Sequence, residues 1–319
     1  MATLKGLPTV FALIFCLPPC VHAAEPIPLE KIQTGPNVSL GGNILFPSDD
    51  PWNRDISHDP VDPNSATLIA AMNPAKGLHP DFGPGRSGIP YIVVDGKQAK
   101  VNVQARYAGD SDPGPYPIPS DAPIEGGPQS RGDRHVLVLD KDNHKLYELF
   151  DSHLQPDGTS WKVGSAAIFD LSKTLPQRPA GWTSADAAGL PILPGLVRYD
   201  EAVERQEIRH ALRFTMAKTR HAYVSPATHY ASSHREENLP PMGLRVRLKA
   251  SVDISKLSLE DQVILKALKT YGMFLADNGS DWFITGAPDD RWDNGRLHRL
   301  GEIKGSDFEV VKMGTVVTR

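Results

Sequence analysis

Three histidines stand in segments whose other residues are mostly apolar, and histidine is the side chain best suited to proton transfer or metal binding near neutral pH. His135 precedes an apolar run, His210 interrupts an alternating pattern, and His229 lies in a polar loop. Strand periodicity places His210 on one face with Leu212 and Phe214. A buried imidazole must be satisfied, so these positions indicate a general base, a zinc or copper ligand, or a histidine with a structural role.

Two glutamates offer general acid–base chemistry. Glu148 shares a predicted strand face with Phe150, and apolar surroundings raise a carboxyl pKa toward the range of a general acid. Asp200 and Glu201 follow the glycine- and proline-rich segment 189–195. Two carboxyl groups that face a sugar form the catalytic pair of a glycosidase. We therefore expect Glu148 to be the acid and Glu201 its partner, with a surface strand charge and a solvated turn as the alternatives.

Further polar residues are candidates for holding a substrate. Arginines alternate with apolar residues on two predicted strands, where each either binds the carboxylate of an acidic sugar or pairs with an internal acid. The segment 181–192 combines small residues, which allow close backbone approach, with a tryptophan on which a sugar ring can stack. The predicted substrate-binding residues are Arg198, Arg213, Arg245, His229, Asp186 and Trp182.

Motifs of high specificity are absent from the sequence, which has no phosphate-binding loop, nucleophile elbow or HExxH. A long loop rich in proline, glycine and aspartate covers residues 110–132, and loops of this length are often binding loops, the alternative being a passive surface excursion. The segments SADAAGLPILPGLVRYDE (184–201) and IRHALRF (208–214) resemble an uncharacterised family of exported bacterial proteins. The resemblance covers about residues 46–310 and implies no particular activity.

The N-terminal residues have the features of a secretory signal peptide. Lys5 precedes an apolar run over residues 7–21, and Val21-His22-Ala23 then offers small residues at a cleavage site. The run is too short to span a bilayer. We predict cleavage near Ala23 and a secreted or periplasmic protein, with a retained anchor as the alternative. Both cysteines lie in this segment, so the mature chain would contain neither a disulfide nor a thiol.

Short strands are the elements expected to position these side chains, because the chain contains 27 glycines and 29 prolines among 319 residues. Turn signals predict hairpins around Asp95-Gly96, residues 141–144 and residues 277–280. A single amphipathic pattern predicts a helix over about 258–271. We predict a mainly β, single-domain antiparallel sandwich or jelly roll with that helix packed on it. It would span residues 88–319 and follow an extended proline-rich segment, 24–87, which wraps the domain so that residues 24–319 form one unit.

Charge and hydropathy exclude two classes of partner. The net charge is −4 without a basic stripe, which disfavours nucleic acid, and no later segment is apolar enough to span a membrane. We predict a secreted glycoside hydrolase or polysaccharide lyase that cleaves a polysaccharide in an open cleft without requiring a cofactor. Glu148 and Glu201 would be catalytic, supported by His135 and His210. The alternatives are a non-catalytic glycan-binding or adhesion protein and a metalloprotein whose histidines share zinc or copper.

Overall fold

A computed structural model describes residues 25–318, so the predicted signal peptide and its cleavage site lie outside the described residues. The strands in chain order are β1 Gly35–Pro36, β2 His79–Asp81, β3 Tyr91–Val94, β4 Val103–Ala105, β5 Val136–Asp140, β6 Lys145–Phe150, β7 His153–Leu154, β8 Trp161–Val163, β9 Ser165–Asp170, β10 Leu212–Met216, β11 Tyr223–Val224, β12 Arg245–Leu248, β13 Met273–Asn278, β14 Phe283–Thr285, β15 Phe308–Val310 and β16 Val316–Val317. The helices are α1 Ser65–Ala71, α2 Leu259–Thr270 and α3 Asn294–Leu297, with 3-10 turns at Leu29–Lys31, Ala108–Asp110, Leu193–Gly195, His298–Glu302 and Gly305–Asp307 and a π-helix at Asp200–Arg205.

The first large sheet has the strand order β1-β3-β5-β6-β9 and is covered on both faces. Successive side chains on a strand point to opposite faces, and its apolar residues divide accordingly. Leu137 and Leu139 pack in the main core, whereas Val136 and Val138 pack in a second, smaller cluster. Burial on both faces explains why these strands are almost continuously apolar.

The second large sheet has the order β15-β12-β13-β10-β14-β2, and its central strand β10 pairs in parallel with β13 and antiparallel with β14. The register between β10 and β13 shifts after Phe214, which pairs with Leu275, so that Thr215 pairs with Asp277. Ala276 is thereby left as a bulge residue. Bulges re-aim the neighbouring side chain, and this one turns Asp277 toward a cavity.

The prediction of a mainly β sandwich with one packed helix is confirmed, with 23% of residues in strands and 16% helical. Helix α2 begins after Ser258, whose Oγ accepts the N–H of Asp261 at 3.2 Å, and the chain turns at Gly272 with φ +66°. The sheets are mixed rather than purely antiparallel, because β3–β5, β4–β8, β10–β13 and β14–β2 are parallel pairs.

One of the three predicted hairpins is confirmed, and two are wrong. β5 and β6 pair directly, with Asp140 opposite Lys145. At Asp95-Gly96 the chain leaves the first sheet, because all four residues of β3 are buried and take an interior position, whereas β4 pairs with β8 in a separate sheet. At residues 277–280 the flanking strands β13 and β14 are separated by β10.

The proline-rich N-terminal segment contributes buried side chains to the core and a strand to the second sheet. Leu40, Trp52 and Ile56 are fully buried, and strand β2 forms an edge of the second sheet. Helix α1 also contacts the second sheet, at β15. Between residues 25 and 318, no helix has the length and apolarity required to cross a bilayer.

Candidate active site

The loop Ser184–Gly189 connects the two large sheets and is held by hydrogen bonds to its own backbone. Ser184 Oγ accepts the N–H of Asp186 at 3.0 Å and donates to the carbonyl oxygen of Leu190 at 2.6 Å. Gly189 has φ +74°, and a Cβ there would lie 2.1 Å from Thr228 Oγ1, so only glycine fits. The hydroxyl of Ser184 is thus engaged in folding the loop.

Asp186, in this loop, forms a buried ion pair with Arg213 on β10. Arg213 Nε donates to Oδ2 at 2.9 Å and Nη2 donates to Oδ1 at 2.6 Å, while Nη1 donates to Thr285 Oγ1. Both side chains are almost fully enclosed, at 0% exposure for Asp186 and 4% for Arg213. Asp186 and Arg213 were predicted to bind substrate, but this ion pair occupies both side chains. The pair instead links the loop to the second sheet.

Asp277 lies beside this ion pair and lines a cavity of about 370 Å³. Its Oδ1 accepts the N–H of Asn278 at 2.7 Å, and the residue as a whole is half-buried. Burial of the carboxyl group, followed by the charge of Asp186, raises the pKa of Asp277 to about 8, against the opposing charges of Arg213 and His135. Asp277 is therefore a carboxylic acid that holds its proton at neutral pH next to open space, as a general acid must.

Two further carboxylates line the Asp277 cavity, at the two ends of the long loop 110–132. Asp110 is half-buried and Asp133 is exposed, and neither side chain makes a hydrogen bond or ion pair with another described residue. The ring of Tyr107, 47% exposed, forms part of the same wall. No lysine or arginine from the described part of the chain lines this cavity. The site therefore combines one protonated carboxyl group with two unengaged carboxylates.

His229 is the one predicted site residue whose side chain lines the Asp277 cavity. Its Nδ1 donates to the carbonyl oxygen of Ala187 at 2.7 Å, which fixes the proton on that nitrogen in the neutral ring. Within residues 25–318, Nε2 makes no hydrogen bond. Nε2 of the neutral ring is consequently an acceptor that is not used by the protein.

His135 lies behind the cavity wall and does not reach it. Its Nδ1 donates to Glu125 Oε2 at 2.7 Å and its Nε2 donates to the carbonyl oxygen of Ala185 at 3.2 Å. Burial opposes the charged ring, but the hydrogen bond and charge of Glu125 outweigh it and raise the pKa of His135 to about 9. With both nitrogens occupied, His135 is a cation that anchors the loop and has no free atom for proton transfer.

Glu148, the predicted acid, is fully buried and does not face a cavity. Its carboxylate accepts the N–H of Ile192 on both oxygens, at 2.9 and 2.8 Å, and the N–H of Leu193 at 2.9 Å. Burial raises the pKa of Glu148 to about 8. The apolar environment inferred from the strand pattern is present, but the side chain fixes the start of a 3-10 turn and cannot contact a substrate.

Glu201, the predicted partner, belongs to a different buried cluster. Its Oε1 pairs with Arg198 Nη2 at 2.5 Å, and its Oε2 accepts from His210 Nε2 at 3.1 Å. His210 Nδ1 faces the carbonyl oxygen of Ala211 at 2.8 Å. Burial opposes ionisation, but Arg198 and His210 outweigh it and lower the pKa of Glu201. Glu148 and Glu201 share no hydrogen-bond partner, so the structure does not bring the predicted pair together.

The remaining predicted residues lie in other parts of the molecule. Arg245 lines a second cavity, and Trp182 lies half-buried beneath the guanidinium of Arg178, 5.5 Å from its ring centre. His135, His210 and His229 each have separate partners. Within residues 25–318, no three histidine, cysteine, aspartate or glutamate side chains are grouped to hold a metal ion. The metalloprotein alternative therefore lacks a ligand set in this part of the chain.

Asp277 and the two carboxylates at the ends of the long loop, Asp110 and Asp133, were not predicted from the sequence. Asp277-Asn278-Gly279-Ser280 has the composition of a turn, which concealed a residue at the end of a buried strand. The prediction that residues 110–132 form a binding loop was the signal closest to the site, since Asp110 begins that loop and Asp133 follows it directly. Chain-distant residues meet here because two sheets pack together, which no local pattern records.

Comparison of the chain with protein-family models, curated proteins and solved structures found no match. The resemblance of residues 184–201 and 208–214 to a family of exported proteins therefore stays a prediction.

Proposed function

We propose that the protein is a glycoside hydrolase that acts in the Asp277 cavity. The observation that carries this proposal is a carboxyl group that lines a cavity and has its pKa raised by burial to about 8, in a cavity that also contains carboxylates without partners among the described residues. Glycosidases divide their chemistry between a protonated carboxyl group and an ionised one. Asp277 would protonate the departing glycosidic oxygen, and Asp110, the more enclosed of the two free carboxylates, would activate water or attack the sugar.

The charge of the cavity favours hydrolysis over elimination. A polysaccharide lyase must neutralise the carboxylate of a uronic acid, for which arginine is the usual partner. Arg213 is fully engaged with Asp186, Arg245 lines another cavity, and Asp110 and Asp133 would repel an acidic sugar. A neutral or positively charged saccharide is therefore the substrate class that this site favours.

Two side chains support binding of such a saccharide. Tyr107 presents an exposed ring against which a sugar can pack, and His229 Nε2 is placed to accept a hydrogen bond from a sugar hydroxyl. We place this activity outside the cytoplasm on the strength of the predicted signal peptide.

The first experiment assays the purified protein on neutral and amino polysaccharides. Reducing ends and the ultraviolet absorbance of unsaturated lyase products are measured on the same samples. We expect reducing ends without that absorbance. Both signals together would indicate a lyase and contradict the hydrolase assignment, and retardation in a glycan gel without any product would favour a non-catalytic binding protein.

Substitution of the acid then tests its role. Asp277→Asn should lower kcat by about 10²–10⁴-fold, the contribution usual for a general acid, while the circular dichroism spectrum is retained. Asp261→Asn is the matched control, because Asp261 is also a buried carboxyl with a raised pKa, about 6, but lies on α2 outside the cavity. Equal activity of the two variants would remove Asp277 from the mechanism.

His229 can be tested without disturbing the loop that it holds. In His229→Asn the amide nitrogen replaces Nδ1 and retains the donor to Ala187, whereas the Nε2 acceptor is lost. In His229→Gln the longer side chain instead places its amide group near the position of Nε2. A role in substrate binding predicts a raised KM in His229→Asn with little change in stability.

A further inference from the structure

A second cavity, of about 320 Å³, lies where β12 and β13 meet the segment 224–226 and the chain after β15. Its walls include Arg54, Arg245, Phe274 and Lys312, and we refer to it as the Arg245 cavity. It shares no lining residue with the Asp277 cavity. Any ligand bound here is therefore separate from the saccharide proposed above.

Arg245 is a buried cation that forms no direct ion pair with the described residues. Its side chain bonds only to backbone carbonyl oxygens: Nε and Nη2 donate to Tyr271 at 2.9 and 2.6 Å, and Nη2 also donates to Arg54 at 3.0 Å. The residue is 7% exposed. Among the described residues, no carboxylate lies within ion-pair distance of it and Nη1 makes no hydrogen bond.

The neighbouring arginine on the same strand shows the usual arrangement. Arg247 lies two residues farther along β12 and pairs with Glu309, from Nε to Oε1, at 2.7 Å. Burial, followed by the charge of Arg54, lowers the pKa of Arg245 to about 9 against the opposing charges of Asp59, Asp50 and Asp55. None of these carboxylates pairs with Arg245 directly, so an anion at Nη1 would stabilise this buried charge further.

The other charged residues of the Arg245 cavity also favour an anion. Lys312 is exposed and forms no ion pair within the described chain, while Arg54 is paired with Asp59 at 2.6 Å. Asp49 is the single carboxylate among the described lining residues. The cavity therefore has more positive than negative side chains, in contrast to the acidic Asp277 cavity.

The apolar part of the wall indicates what kind of anion fits. Phe274 lies under the guanidinium of Arg245, with Cζ 4.6 Å from the ring centre, and Val224, Pro226 and Met313 complete an apolar surface. This lining is mostly buried already, at 2% exposure for Phe274 and Val224, but an apolar body placed against it loses its own contact with water, which a fully hydrated inorganic ion does not. We propose that the Arg245 cavity binds the carboxylate group of a small organic acid at Arg245, with its apolar body against Phe274.

The test is calorimetric titration of the purified protein with acetate, butyrate, hexanoate and inorganic phosphate. We expect affinity to rise from acetate to hexanoate by about fourfold for each methylene group that becomes buried. Phosphate binding as tight as that of hexanoate would overturn the assignment in favour of an inorganic-anion site. Failure of all four anions to bind at millimolar concentration would overturn the proposal altogether.

Two variants locate the binding. Arg245→Gln should abolish hexanoate binding, and unchanged binding would contradict the proposal. Because Arg245 is buried and that variant can fail to fold, Lys312→Glu provides a second test at an exposed position. It should weaken hexanoate binding about fivefold, whereas Lys97→Glu, the same charge reversal on an exposed turn of the first sheet, should not. Equal effects of the two lysine variants would place the ligand elsewhere. These assays do not use the saccharide activity, so either proposal can fail without the other.

Discussion

Arg213 and Asp186 form a two-point ion pair directly behind Asp277, with Nε–Oδ2 and Nη2–Oδ1 distances of 2.9 and 2.6 Å. The pair joins the loop 184–189 to the central strand of the second sheet. It also places a negative charge beside the carboxyl group of Asp277, which contributes to the raised pKa of that group. One contact thus stabilises the fold and adds a negative charge to the burial that keeps the proposed acid protonated.

Breaking this ion pair should be costly. Arg213→Met leaves the carboxylate of Asp186 buried without its partner, and we expect the free energy of unfolding to fall by about 3–5 kcal/mol. Arg291→Met is the control, since Arg291 pairs with Asp289 at the surface and its side chain is 56% exposed; removing a surface pair should cost under about 1 kcal/mol. Urea denaturation of both variants provides the comparison, and losses of similar size would show that the buried pair has no special role.

Asp186 should also control the pH dependence of activity. If Asp277 must be protonated to act, kcat/KM should fall as the pH rises through its pKa of about 8. Asp186→Asn removes the neighbouring negative charge while Arg213 remains positive, so the pKa of Asp277 should decrease. The fall in kcat/KM at alkaline pH should then begin at a lower pH. A pH–rate profile of both proteins tests the shift. If kcat/KM falls at the same pH in both proteins, a group other than Asp277 is responsible for the fall.

Asp277 should make the folded protein less stable as the pH rises. Its carboxyl pKa is raised from 3.8 to about 8, so between these values the folded chain retains a proton that the unfolded chain has released. The free energy of unfolding contributed by this group therefore falls from about pH 4 to about pH 8. In Asp277→Asn this decrease in the free energy of unfolding is absent, so the variant should be more stable than the unmodified protein above pH 8.

The difference between the two proteins, measured by urea denaturation across this range, isolates Asp277 from other titrating groups. Asp261→Asn is the reference, because the pKa of Asp261 is raised only to about 6 and its contribution should level off near that pH. A difference between Asp277→Asn and the unmodified protein that is constant with pH would contradict the raised pKa.

Glu148 should be important for stability and irrelevant to catalysis. Glu148→Gln replaces one acceptor oxygen, which bonds the N–H of Ile192, by an amide nitrogen that has no acceptor there. The free energy of unfolding should fall by about 1–3 kcal/mol, the cost of a buried polar group left unsatisfied. The activity of the folded fraction should be unchanged. Loss of activity at full stability would instead restore Glu148 as the acid.

The sequence was sufficient to predict elements whose formation depends on near neighbours. Helix α2 follows from the cap at Ser258 and its apolar stripe, and the β5–β6 hairpin follows from two alternating strands around a short turn. The concentration of small residues in segment 181–192 was also evident from composition. In each case the deciding interactions connect residues close together in the chain, so the pattern of residue types contains the information.

Strand pairing and the membership of the site were decided by tertiary packing. Whether β13 pairs with β14 or with β10 depends on which apolar faces are buried together. Glu148 and Asp277 both have a carboxyl pKa raised to about 8, and their different roles follow from what surrounds each carboxyl group. A β-rich core containing buried polar residues follows from residue types and their order alone. Which carboxyl groups are closed off by backbone N–H groups, and which face open space, depends on contacts between residues far apart in the chain and therefore emerges only when the sheets pack.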